Sequence, residues 1–234
     1  MDMVLVDGTH GRPYPFGEGT PPLQLEVPEF YIATTPVTVA LWTHITSNDP
    51  SVSHAPRKPV EDISWNQVTN PDGFLDQLNA SAVLPRLLAQ LPGKPPAARF
   101  RLPSESEWEY AARGGPQWPQ NFRYSRSDDI DPVAWHDRKA GDNTHEVAGK
   151  LPNQLGLYDM SGNVWEWCQD TFTRKVIEIP TDGSPFVGTG DDRVLRGGCF
   201  HNWAQHCTVF KRYEIGKEFH DGCIGLRLVL AVEV

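Results

Sequence analysis

Residues 199–223 hold three cysteines, Cys199, Cys207 and Cys223, and three histidines, His201, His206 and His220. Thiolates and imidazoles are the ligands of choice for Zn²⁺. His201, His206, Cys207, His220 and Cys223 are therefore candidates to gather such an ion, although their spacings match no zinc finger. No C-x-x-C pair occurs, which argues against a zinc ribbon or a thioredoxin-like motif. A second candidate lies upstream, where Asp159, Gly162, Val164 and Glu166 fall within eight residues across a Ser161-Gly162-Asn163 turn. Two carboxylates and the turn carbonyls are the hard oxygen donors that Ca²⁺ prefers. The alternative is that Glu166 only accepts backbone hydrogen bonds beneath the flanking tryptophans. No G-x-S-x-G nucleophile elbow and no phosphate-cradling loop is present.

Two buried-strand patterns flank the cysteine- and histidine-rich run. Arg193 to Gly198 opens the stretch and Ile224 to Leu230 closes it. Between them the sequence has no repeating face. Phe200, His201, Asn202, Trp203, His206, Lys211, Tyr213, Glu214, Ile215, Lys217, Phe219, His220, Asp221 and Cys223 mix aromatics, imidazoles and both charge signs. Such a mixture suits a ligand-binding surface on a rigid frame. If exposed together, Phe200, Trp203, Tyr213, Ile215 and Phe219 would form an apolar patch of the kind that marks interaction sites. The plain alternative is a run of loop residues that merely solvates the surface.

The chain has 234 residues, with 21 Pro, 20 Gly and 8 Trp. That length can bury a full core, and the mix favours a loop-rich fold pinned by aromatics over a helical bundle. A net charge of −9 disfavours general nucleic-acid binding, which needs a basic stripe. No apolar run approaches the length of a membrane span. The N-terminus lacks the basic and long apolar regions of a signal peptide, so a cytoplasmic location with reduced thiols is the default expectation.

Short strands are expected at Met3–Val6, Leu23–Val27 and Phe30–Ile32, with a loop from Gly8 to Pro22. Thr38 can cap a helix running to Ser47, and Trp65 to Asn79 reads as a second helix with its first turn disturbed at Asn70-Pro71. A short helix near Leu84–Leu91 lies in an insertion spanning 80–98. Ser104-Glu105-Ser106-Glu107 is a capping-box signature for a helix that stops at Gly114-Gly115. No linker divides the chain, so a single domain over 1–234 is expected.

Several long motifs, in order, resemble the formylglycine-generating enzyme (sulfatase-modifying factor) superfamily. They are Arg101 to Gly115 (RLPSESEWEYAARGG), Gly156 to Cys168 (GLYDMSGNVWEWC), Arg193 to Gly198 (RVLRGG) and Ile224 to Arg227 (IGLR). Pro36-Val37-Thr38 and Pro59 to Trp65 fit its N-terminal half. The resemblance implies a C-type lectin-like fold of the formylglycine-generating-enzyme type, with two main helices and small mixed sheets. It also implies a structural Ca²⁺ site, with side chains of Asp159 and Glu166 and main-chain oxygens of Gly162 and Val164.

Copper-dependent members of that superfamily carry cysteines at the fourth and ninth positions after the Gly-Gly pair. Here those positions are Asn202 and Cys207, and an amide is a poor ligand for Cu(I). No copper is therefore expected, and a formylglycine-generating-type oxidoreductase is the disfavoured alternative. An iron-dependent branch places three histidines in an extra N-terminal helical domain that has no counterpart in this sequence.

A further branch consists of variable proteins diversified by retroelements, whose C-terminal pattern resembles R-V-L-R-G-G-S-[WF]-x-x-x-A-x-x-C … R … I-G-[FL]-R-L-V. Ala204, Cys207, Arg212, Ile224, Gly225 and Arg227 stand at fixed positions of that pattern. The mixed-chemistry residues from His201 onward stand where variation is expected, together with Glu218 and Gly222, while Phe200 falls at the [WF] position. Cys199 replaces the usual Ser, and Lys217 falls where many relatives carry Pro. The resemblance implies a non-catalytic binding protein whose variable region, 199–223, recognises a protein or cell-surface ligand. A non-catalytic subunit with fixed protein contacts is a third class.

Overall fold

The structure is a computed structural model that describes residues 1–91, 98–137 and 141–232. Its strands are β1 (Met3–Val6), β2 (Tyr14–Phe16), β3 (Leu23–Leu25), β4 (Phe30–Ala33), β5 (Ala98–Arg101), β6 (Trp165–Thr171), β7 (Asp192–Arg196), β8 (Arg212–Gly216), β9 (Ile224–Leu226) and β10 (Val229–Val232). The α-helices are α1 (Val39–Thr46), α2 (Trp65–Thr69), α3 (Phe74–Ala80), α4 (Val83–Leu88) and α5 (Glu105–Ala112). One four-stranded antiparallel sheet has the order β1-β4-β10-β5, and β2 and β3 form a separate hairpin. A second sheet, ordered β8-β7-β6-β9, is mixed because β6 and β9 run parallel.

The expected strand from Ile224 to Leu230 is two strands in two sheets. β9 pairs with β6 and β10 pairs with β4 and β5, so Arg227 and Leu228 carry the chain from one sheet to the other. The expected loop from Gly8 to Pro22 contains β2, whose Tyr14 and Phe16 are fully buried. The expected helix from Trp65 to Asn79 is broken into α2 and α3. Pro71 holds Asn70 extended, and Asp72 takes a left-handed φ of 62° before Gly73 restarts the helix. Part of the 80–98 insertion lies outside the described residues.

The two eight-residue helices follow their local signals. Thr38 caps α1 by accepting from the Leu41 amide. In α5 the Ser104 hydroxyl accepts from the Glu107 amide, and the Glu107 carboxylate accepts from the Ser104 amide. Gly114, at φ 90°, ends that helix. All eight residues of α5 are buried, so its three glutamates must be paired inside the protein. Glu107 holds Arg101 through two bonds of 2.7 Å. Glu105 holds Arg212 at 2.6 and 2.7 Å, and Glu109 takes both Arg113 and Arg196. This network ties the helix to β5, β7 and β8. No helix among the described residues is long and apolar enough to cross a membrane.

Candidate ligand-binding surface

The mixed sheet is the frame under the C-terminal run. Trp167 of β6 is fully buried and donates its indole N–H to the Ile63 carbonyl at 3.0 Å. Trp165, two residues earlier, is covered by Tyr213, whose ring stacks at 5.4 Å between centroids. Tyr213 belongs to β8, an edge strand inside the run that shows no periodicity as a whole. Its five residues pair antiparallel with β7, from Arg212↔Arg196 to Gly216↔Asp192. The missed signal is a short alternation, Tyr213 and Ile215 against Arg212 and Glu214.

That alternation divides the expected binding residues. Tyr213 lies on Trp165, and Ile215 packs on the cluster that contains Trp165, Phe200 and Cys223. Glu214 pairs with Arg174 at 3.1 Å, and Arg212 beside it turns to Glu105. Lys211 lines a separate cavity of about 480 Å³ with Phe16, Pro22 and Ile177. Lys217 pairs with Asp191 at 2.7 Å and His220 with Asp62 at 2.8 Å. Phe200, His201, Asp221 and Cys223 come together in a cleft of about 230 Å³, with Glu61, Thr144 and Gly222. Lys211 and Glu214 therefore do not join that cleft. Phe200 and Cys223 are only 8% and 6% exposed, whereas Trp203 is 67% exposed and Tyr213 and Phe219 are each 46% exposed. His206 is half-buried in a turn of 3₁₀ helix at Ala204–His206, just after Trp203.

The central turn is occupied differently from the calcium expectation. Glu166 is fully buried, and Arg227 donates to it through Nε at 3.0 and 3.2 Å and Nη2 at 2.8 Å. Trp108 Nε1 adds a fourth bond at 2.6 Å. Asp159 accepts from the Ala148 amide at 2.9 Å and more weakly from Asn163. Burial pushes the Asp159 carboxyl up to about 6; the Ala148 bond and Arg227 oppose that rise, and the charge of Glu166 adds to it. Gly162 is held at φ 78°, and a Cβ there would collide with the Trp135 carbonyl, while Val164 is buried. A divalent cation would have to displace a guanidinium that already neutralises Glu166. The side chains as placed do not fit a calcium cage. Glu166 does accept hydrogen bonds beneath the tryptophans, but from side chains rather than backbone.

Nor do the two positions that a thiolate pair would need supply one. Cys207 is fully buried among Tyr124, Ile130, Val133 and Ala134, and burial raises its thiol well above the usual range. Asn202 turns its amide oxygen to the Cys199 amide at 3.0 Å and to the Cys199 thiol at 3.3 Å. Of the five residues considered for zinc, only His201 and Cys223 meet, at 3.1 Å, and Cys199 joins them instead of Cys207.

The sulfatase-modifying factor enzyme 1-like domain matches residues 2–232. The chain belongs to the sulfatase-modifying factor family. It is 32% identical over 206 residues to a formylglycine-generating enzyme of Streptomyces coelicolor, covering 80% of this chain and 57% of that protein. The mouse formylglycine-generating enzyme is 30% identical over 190 residues, covering 75% of this chain and 44% of the relative. The chain thus spans about half the length of these curated relatives. Among solved structures, Treponema denticola variable protein 1 superposes with a TM-score of 0.80 at 26% identity, covering 97% of this chain and 94% of the other. PvdO from Pseudomonas aeruginosa gives 0.76 at 21% identity over 97% and 93%, a likeness of fold alone. The chain is thus similar both to formylglycine-generating enzymes and to a variable protein. The C-type lectin-like α+β fold expected from the motifs is the fold observed, with small sheets and short helices.

Proposed function

We propose that the protein is a non-catalytic binding module, one domain over 1–234, whose C-terminal surface is diversified to recognise a protein or cell-surface ligand. The observation that carries this is the exposure of Trp203, Tyr213 and Phe219 on a frame whose own aromatics, Trp108 and Trp167, are fully buried. Large rigid side chains bury much area at little entropic cost, which makes them binding anchors. His201, His206, His220 and Asp221 would tune specificity around them. The fold likeness to a variable protein at TM-score 0.80 supports the same reading. The net charge of −9 speaks against a nucleic-acid ligand.

A second reading, an oxidoreductase of the formylglycine-generating type, draws on the enzymes at 30–32% identity. Against it stand Asn202 and the deep burial of Cys207. Two measurements separate the readings. One is the gene's neighbourhood: diversification requires a near-copy of the codons for 199–224, differing where the template carries adenine, beside a reverse transcriptase gene. The other is copper loading followed by an assay on a cysteine-containing sulfatase-motif peptide. Turnover that depends on Cys207 would overturn the binding proposal.

A further inference from the structure

One cluster at the cleft, where His201 and Cys223 line the wall and Cys199 is buried behind them, is left unexplained by ligand contact alone. The donor atoms of Cys199, His201 and Cys223 all lie within 4.8 Å of one another. These residues meet only in the fold, because β9 returns the chain beside Trp165 after the whole of β8 has intervened. In a tetrahedral Zn²⁺ site with Zn–S of about 2.3 Å and Zn–N of about 2.0 Å, donors sit about 3.3–3.8 Å apart. Cys223 Sγ is already 3.1 Å from His201 Nδ1, so closing the cluster on an ion needs movements of about 1 Å or less by this geometry.

The two cysteines are also held in place by neighbouring side chains. Asn202 Oδ1 fixes the backbone and thiol of Cys199, and Asp221 Oδ1 accepts the Cys223 amide at 3.0 Å. The geometry points to a zinc site formed by Cys199, His201 and Cys223, with its fourth position open to the cleft. Two thiolates cancel the charge of the ion, and imidazole completes a borderline-soft set that excludes Ca²⁺ and Mg²⁺. The cleft walls carry Glu61, Asp142 and Asp221, which favour entry of a cation. Thr144 lines the same cleft, and its buried hydroxyl has no hydrogen-bond partner among the described residues. Three protein ligands and one open position are the pattern of an ion that meets a ligand, not of a closed structural staple.

Binding proceeds as Zn²⁺ plus two thiols giving a dithiolate complex and two released protons. Because both thiols must lose their protons to bind, uptake strengthens as pH rises. The site does not depend on whether the surface is diversified, since metal uptake is measured without any other ligand.

The full chain, reduced and stripped with chelator, is titrated with Zn²⁺ and separately with Co²⁺ as a spectroscopic probe. One equivalent should bind, with thiolate-to-cobalt charge-transfer absorption and proton release. Cys199→Ser and Cys223→Ser should each abolish that absorption. His201→Ala, at an exposed position, should weaken binding tenfold or more with an unchanged melting temperature. That variant keeps the test decisive if a buried serine unfolds the protein. Charge-transfer absorption that survives in the Cys199→Ser/Cys223→Ser double variant would overturn the site. So would wild-type uptake no tighter than that variant's, or a Cys199–Cys223 disulfide that persists in reductant.

Discussion

Replacing Arg227 by Met tests what holds the centre of the frame. The substitution keeps the length and apolar stem of the side chain but removes three bonds to Glu166, of 2.8 to 3.2 Å. It also removes the bonds from Nη1 to the Ala33 carbonyl at 2.8 Å and from Nη2 to the Tyr158 carbonyl at 2.7 Å. Glu166, fully buried, is left with only the Trp108 indole as a side-chain donor among the described residues. Breaking a buried pair from one side costs about 3–5 kcal/mol, and the two orphaned carbonyls push the loss toward the upper end. For a chain of 234 residues each kcal/mol lowers the melting temperature by about 2–4 °C, so a drop of about 6–20 °C is expected. Urea unfolding followed by tryptophan fluorescence, in excess Ca²⁺ and in EDTA, should give the same loss in both. The double variant Arg227→Met/Glu166→Gln should recover part of it, because the uncompensated charge is gone. A loss below about 1 kcal/mol would refute the reasoning. So would wild-type stabilisation by Ca²⁺ approaching the roughly 2.7 kcal/mol expected at a hundred times Kd, since an ion would then share Glu166.

Trp203→Ala and Phe219→Ala should each change folding stability by about 0.5 kcal/mol, whereas Trp167→Ala should cost about 3–5 kcal/mol, all read by chemical denaturation. Two buried carboxyls, Asp159 at about 6 and Asp170 at about 7, are raised first by burial. A folded-state carboxyl that holds its proton too tightly stabilises most below the unfolded value of about 3.9, and that contribution fades as pH rises through 6 and 7. Melting temperature should therefore fall from pH 5 to pH 8, and Asp159→Asn should flatten the slope; an unchanged slope would count against the burial of that charge. Copper-loaded protein should give no turnover of a cysteine-containing sulfatase-motif peptide, measured by mass change of the peptide.

Local chemistry was readable in the sequence, and long-range pairing was not. The Ser104 capping box and the Thr38 cap each involve bonds over three residues, so their helices appear where the motifs stand. Glu105 and Glu109 look like ordinary polar helix positions. Their partners Arg212 and Arg196 lie 107 and 87 residues away, and only the fold shows that these charges are buried. β8 escaped notice because a five-residue edge strand offers two apolar positions, Tyr213 and Ile215, amid charged neighbours. Its alternation also turns Glu214 to the opposite face from Tyr213 and Ile215, which a list of adjacent residues could not reveal. The carboxylates Asp159 and Glu166 were visible as a pair, but Arg227, 61 residues after Glu166, decides what that pair does.

The claim of a rigid frame under a replaceable surface has one direct measurement. His201, Trp203, His206, Tyr213, Ile215, Phe219 and His220 would be randomised together in a displayed library, and each member scored for protease resistance. These positions are exposed or half-buried, so most members should resist digestion as the parent does. If most are digested, the aromatics and imidazoles are part of the fold and the surface is not free to vary.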